Sequence, residues 1–149
     1  NLDGVYSQLG ALTDQANTYA MHEHTTDEMV GPTRGTDWSD FGTWRQLHQH
    51  SWDPTHNQII SSWDALNTGI FRANQVLATA GLDASSTAQC RFLRAFFMFN
   101  LVDLFGQVPF REATEGFDVN PRVLSRTEAT QFIIDDLTAA LPGLPASGA

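Results

Sequence analysis

At 149 residues the chain is about one domain long, and its 17 Asp and Glu against eight Arg and no Lys give a formal net charge of −9. The arginines are scattered from Arg34 to Arg126 with no basic patch, so nucleic acid phosphates and anionic lipid surfaces are excluded as partners by charge. A hydrophobic fraction of 42% is enough for a core and too much for disorder, the lone Cys90 gives neither a disulfide framework nor a Cys-based zinc site, and no apolar run reaches the ~18 residues of a transmembrane helix.

Periodicity predicts an all-α fold with helices over about residues 3–21, 55–80, 86–105 and 126–141. In the first, Val5, Leu9, Leu12, Ala16 and Tyr19 recur every three or four residues. In the second the stripe is Ile59, Ile60, Trp63, Leu66, Ile70, Asn74 and Leu77, which makes Trp63 a core residue, and Gly81 follows as a C-terminal stop. Ser86 and Gln89 have the spacing of a capping box for the third helix. Its apolar residues, among them Phe92, Phe96, Phe97 and Phe99, cover nearly every face, so this helix is expected to be central and surrounded. Gly106 stops it, and the segment 108–110 is the one expected extended stretch. Ser125 and Glu128 form a second capping box, and Pro142 ends the fourth helix.

Two long connections, 22–54 and 106–124, separate these helices, and connections of that length are often functional. The first holds three of the four tryptophans, Trp38, Trp44 and Trp52, together with Phe41, Gly31, Gly35, Gly42, Asp37, Asp40 and Asp53. A shift of about 34 residues, the tetratricopeptide period, pairs Trp63 with Phe97 and Ile70 with Leu104.

The run Arg91-Phe92-Leu93-Arg94-Ala95, continued by Phe99, Leu101, Val102 and Leu104-Phe105-Gly106 to Val108-Pro109, resembles a signature of the SusD/RagB family of nutrient-binding outer-membrane lipoproteins. Trp63, Leu66, Gly69-Ile70 and Arg72-Ala73-Asn74 are similar to a second motif of that family, Thr26-Asp27-Glu28 to a third, and Phe132-Ile133-Ile134 with Asp136-Leu137 and Leu141-Pro142 to a fourth. The resemblance implies tetratricopeptide-like helix pairs with long connecting loops. It also implies that residues 1–149 are the N-terminal part of a SusD-like helical domain, since family members are several times longer. It further implies an extracellular-facing, lipid-anchored location at the outer membrane, where oligosaccharide, polysaccharide or another nutrient is bound for a TonB-dependent transporter. Membrane attachment would then run only through a lipid on an N-terminal cysteine that this chain lacks.

Sugar rings present apolar C–H faces that stack on indole, while carboxylates, amides and guanidinium groups bond the hydroxyls. Trp38, Asp37, Asp40 and Trp44 are therefore the candidate ligand-binding residues, with Trp38 foremost because Gly35 and acids on both sides keep its segment polar. The competing assignment makes the tryptophans anchors that pack the loop onto the helices. His22, His24, His48, His50 and His56 lack the spacing of a zinc helix and are read as hydrogen-bonded loop residues; Asp37 and Asp40 lack an EF-hand spacing for calcium. No metal site and no cofactor are expected, and no glycine-rich phosphate loop occurs. Neither Asp37/Asp40 nor Asp135/Asp136 sits in a hydrolase motif, so no catalysis is expected. Arg72, Arg91 and Arg94 are read as structural, pairing with Asp103 or Asp64 or capping neighbouring carbonyls. The functional expectation is nutrient binding without a chemical step, and the alternative is a helical-repeat scaffold whose only ligand is another protein.

Overall fold

The computed structural model describes residues 1–32, 34–116 and 118–146. Among these the chain forms α1 (Leu2–Tyr6), α2 (Gly10–Thr13), α3 (Asn17–Glu23), α4 (Thr43–His48), α5 (Asn57–Leu77), α6 (Ala84–Phe105), β1 (Val108–Phe110), β2 (Arg122–Leu124) and α7 (Arg126–Ala140). The class is all-α, with a two-stranded ladder as the exception. The chain divides into two compact units, Asn1–Gln8 with Leu66–Ala149 and Leu9–Ala65, the division falling within α5.

In the first unit α6 is the central element. Asp83 caps it, its carboxylate accepting from Ser86 N at 2.9 Å. The expected Ser86/Gln89 box does not form, because an anionic cap one turn earlier satisfies the free N–H and opposes the helix dipole better than a hydroxyl. At the other end Gly106 closes the helix in the left-handed conformation (φ 75°), its N–H bonded to Val102 O. The buried face carries Leu93, Ala95, Phe97, Met98, Leu101 and Val102. Gly69 of α5 lies flat against Phe97: a Cβ there would stand 2.7 Å from the ring, so only glycine permits this approach. The expectation that α6 is surrounded on all faces is corrected. Phe92, Phe96 and Phe99, spaced along one stripe, are 41%, 39% and 58% exposed.

A buried polar network ties α5, α6 and α7. Arg94 grips Asp136 with two bonds, Nε to Oδ2 at 2.7 Å and Nη2 to Oδ1 at 2.8 Å, and gives Nη1 to Asn74 Oδ1 at 2.7 Å. Arg91 adds a bond to Asp136 Oδ1 at 3.0 Å. Asn74 in turn donates to Arg111 O at 3.0 Å, which fixes the chain just after β1. Both Arg94 and Asp136 are buried, so this is a desolvated, bidentate pair, with each guanidinium nitrogen of Arg94 holding a partner. The expected partners Asp103 and Asp64 are therefore replaced by Asp136, brought across by the antiparallel packing of α6 and α7. Arg72 instead caps a carbonyl, Gly4 O, at 3.1 Å.

The ladder pairs β1 and β2 antiparallel, with Val108 opposite Leu124 and Phe110 opposite Arg122. The extended stretch 108–110 is as expected; β2 lies within the expected connection 106–124. It leads into the Ser125/Glu128 capping box, in which Ser125 Oγ accepts from Glu128 N and Glu128 Oε2 accepts from Ser125 N at 2.8 Å. Those bonds from Ser125 hold the Glu128 carboxyl below its ordinary value. Burial pushes the Cys90 thiol up, which suits a packed core residue.

The expected helix 3–21 is broken into three. After α1 a 3₁₀ turn (Ser7–Leu9) intervenes, and α2 stops at Asp14, whose backbone is extended and whose carboxylate accepts from Ala16 N. Local side-chain bonding of this kind competes with helix continuation. Asn17 then starts α3 with φ 56°. The apolar period across 3–21 survives these breaks, but only Val5, Thr18 and Ala20 of this stretch are buried. Trp63, expected in the core, is only partly buried.

Candidate functional site

The second unit has a small core of Ala20, Trp44 and Leu47, flanked by Ala16. It was expected to contain one long loop, 22–54; the structure places α4 within it, too short to show a period. Trp44, 6% exposed, is the keystone. Its indole Nε1 donates to Asp40 Oδ2 at 2.6 Å, and its ring packs on His24 with centroids 4.9 Å apart. Gly31 makes room for both, since a Cβ there would stand 3.0 Å from Trp44 Cβ and 3.2 Å from the His24 ring. Burial, its largest influence, lowers the pKa of His24 and favours the neutral ring; Glu23 opposes the shift and His48 adds to it.

From this anchor the segment 34–42 rises to the surface. Arg34 and Asp37 exchange both backbone hydrogen bonds, at 3.0 and 2.9 Å, around a two-residue turn. Gly35 takes φ 63° there, a conformation that matches tight hairpins and costs a glycine little. Trp38 follows with φ 56° and is 42% exposed, its ring 5.5 Å from that of Trp44 and tilted by 54°. An open depression of about 380 Å³ lies beside it, lined by Gln15, Arg34, Asp37, Trp38, Asp40 and Trp44.

The four candidate residues thus converge on one place, in unequal ways. Trp38 offers an accessible indole face, and Asp37 lies at the exposed rim. Asp40 has one carboxylate oxygen engaged by Trp44 and the other without a hydrogen bond among the described residues. Trp44 itself is the anchor on which Trp38 rests. Two further groups complete the rim. Arg34 supplies guanidinium donors and could have been suspected from its place next to Gly35; Gln15 comes from the break between α2 and α3, and no local pattern announces it.

The histidines do not gather. His24 stacks on Trp44, His50 bonds Thr25 O at 2.7 Å, and His56 is buried with Nε2 3.2 Å from Thr43 O. Among the described residues no three His, Cys, Asp or Glu are placed to hold a metal ion, and no helix is long and apolar enough to cross a membrane.

An aromatic residue held open beside a rim of carboxylate, amide and guanidinium groups offers the kinds of contact that a sugar ring can use. The chain belongs to the SusD-like family: the family pattern described as "Starch-binding associating with outer membrane" matches residues 2–148. The family is one of glycan-binding proteins associated with the outer membrane rather than of enzymes. No curated protein matches the chain.

Proposed function

We propose that this chain binds a glycan through the segment 34–44, as the N-terminal part of a SusD-like helical domain anchored by lipid on the outer face of the outer membrane, and that the glycan is passed to a TonB-dependent transporter. One observation carries the binding site: Trp38 keeps 42% of its surface exposed while seated on a buried tryptophan, beside a polar depression. An indole kept open in this way is suited to stack on a sugar ring, with Arg34, Asp37, Asp40 and Gln15 bonding its hydroxyls. The mechanism is equilibrium binding with no bond made or broken.

Affinity electrophoresis through gels containing amylose, xylan, mannan or pectin tests this reading. Retardation is expected on at least one gel and is expected to be lost in Trp38→Ala without a large fall in melting temperature. Equal retardation of Trp38→Ala removes Trp38 from the site. A second reading, a protein-interaction scaffold without a small ligand, draws on the exposed stripe Phe92, Phe96 and Phe99 of α6. It predicts retardation on no gel and stable capture of a membrane transporter.

A further inference from the structure

Phe41 is the most exposed large apolar side chain among those described, with a relative exposure of 103%. Its backbone is also left-handed (φ 55°, ψ 23°), between Asp40 at φ 34° and Gly42 at φ 86°. A residue with a Cβ costs about 1–2 kcal/mol in that conformation, and glycine or asparagine would form the same turn with less strain. The phenyl ring returns nothing to the fold, because nothing packs against it. Single exposed apolar residues are ordinary on protein surfaces. A strained one among the residues that line a polar hollow is a different observation, since strain of this kind gathers at ligand sites.

The hollow is distinct from the one beside Trp38. It has a volume of about 330 Å³, and its wall includes Asp40, Phe41, Gln46, Asp53, His56 and Asn57. Asn57 uses its oxygen to accept from Thr43 Oγ1 at 3.2 Å and from Gln58 N at 2.9 Å, which leaves its amide N–H groups as donors. The His56 ring is tied through Nε2 to Thr43 O at 3.2 Å. Its Nδ1 is fully buried without a hydrogen-bond partner among the described residues, so it lies behind the wall rather than on it. Asp53 accepts from Thr55 through Oδ1, leaving Oδ2. Gln46 contributes a whole amide. The lining therefore carries both donors and acceptors, and Phe41 is one of its residues.

This mixture selects among ligand classes. Two carboxylates without a cation on the wall repel phosphate and other anions. A divalent cation would want converging oxygens, and no three acidic or imidazole groups converge among the described residues. Vicinal hydroxyls on an apolar ring face match both the mixed donors and acceptors of the lining and the exposed phenyl ring beside them. Asp40 borders both hollows, with Trp38 over one and Phe41 over the other.

We infer that Phe41 and the hollow below it form a second sugar subsite adjoining the one at Trp38, so that this loop recognises a chain of at least two sugar rings with Asp40 shared between them. The inference rests on the glycan reading above. Phe41→Ala is a clean probe, because the side chain removed makes no packing contact. The full chain is titrated calorimetrically with size-defined oligosaccharides cut from whichever of amylose, xylan, mannan or pectin retards it. For the wild type, affinity is expected to rise with oligosaccharide length. In Phe41→Ala that rise flattens, with roughly tenfold weaker binding of the longer oligosaccharides and unchanged binding of the monosaccharide. Phe41→Tyr restores it, and Trp38→Ala weakens every length. If Phe41→Ala binds long oligosaccharides like the wild type while Trp38→Ala does not, the second subsite is wrong and the glycan reading stands. If the wild type is retarded by none of the gels, the glycan reading falls and this inference with it.

Discussion

The two units of this chain handle polar groups in opposite ways. In the unit built on α6, the buried charge of Asp136 is answered by two arginines, and the chain of bonds runs on through Asn74 to the backbone at Arg111. In the unit built on Trp44, polar groups are left with capacity to spare among the described residues, such as one oxygen of Asp40 and the buried Nδ1 of His56. Backbone strain divides in the same way. Among the described residues, the five non-glycine residues with positive φ, from Asn17 to His50, fall in the second unit. A closed ion-pair network and relaxed backbone suit a scaffold, whereas unspent bonding capacity and strain gather where something else can bind.

Four measurements can break or sharpen that contrast. Asp136→Ala should have the largest effect, lowering stability in chemical denaturation by about 3–5 kcal/mol because it strands the buried Arg94 guanidinium. A loss below about 1 kcal/mol would mean that the network is not what holds the helical unit. Gly69→Ala comes next, at about 1–3 kcal/mol, since the added methyl must displace the Phe97 ring.

Acid should then act on the loop unit through His24. The folded protein lowers its pKa from 6.5, so the unfolded chain takes up the proton first as pH falls. Its contribution to stability is complete above about pH 6.5 and is lost as pH drops from there through the folded value. The denaturation midpoint followed against pH should show this decline, and His24→Gln should flatten it. A midpoint that is the same with and without His24 across that window would contradict the assignment. The smallest change is expected for Phe41→Ala, within about 0.5 kcal/mol of the wild type in the same assay. A clear loss there would show that the ring packs on something and would weaken the contrast between the units.

The parts legible in the sequence were those governed by short-range rules. The apolar periods located α5, α6 and α7, and Gly106 and the Ser125/Glu128 box marked ends that the structure keeps. The segment 3–21 shows the limit of that reasoning. Its period is helical, yet the Asp14 carboxylate bonds Ala16 N and the helix breaks, because periodicity reports which residues are apolar and not what the backbone between them prefers. Of the candidate site, Trp38, Asp37, Asp40 and Trp44 were found as a cluster in sequence. That Trp44 is buried beneath Trp38 was not legible, since two tryptophans six residues apart carry no label for depth. That Phe41 stands outside was not legible for a related reason: an aromatic residue is assigned inward by default, and it is the left-handed turn that holds this one exposed.

The sequence by itself determined the helical class, the strongly negative balance of charge, and the family, through motifs on α5, α6 and α7. These follow from composition and from residues close together in the chain. Only the tertiary structure decided that Asp136 rather than Asp103 or Asp64 receives the arginines, and which of the loop's aromatic residues anchor and which stand open. Both depend on segments far apart in sequence meeting in space. A buried charge takes the partner that packing delivers, and an indole is core or platform according to what lies on its other face.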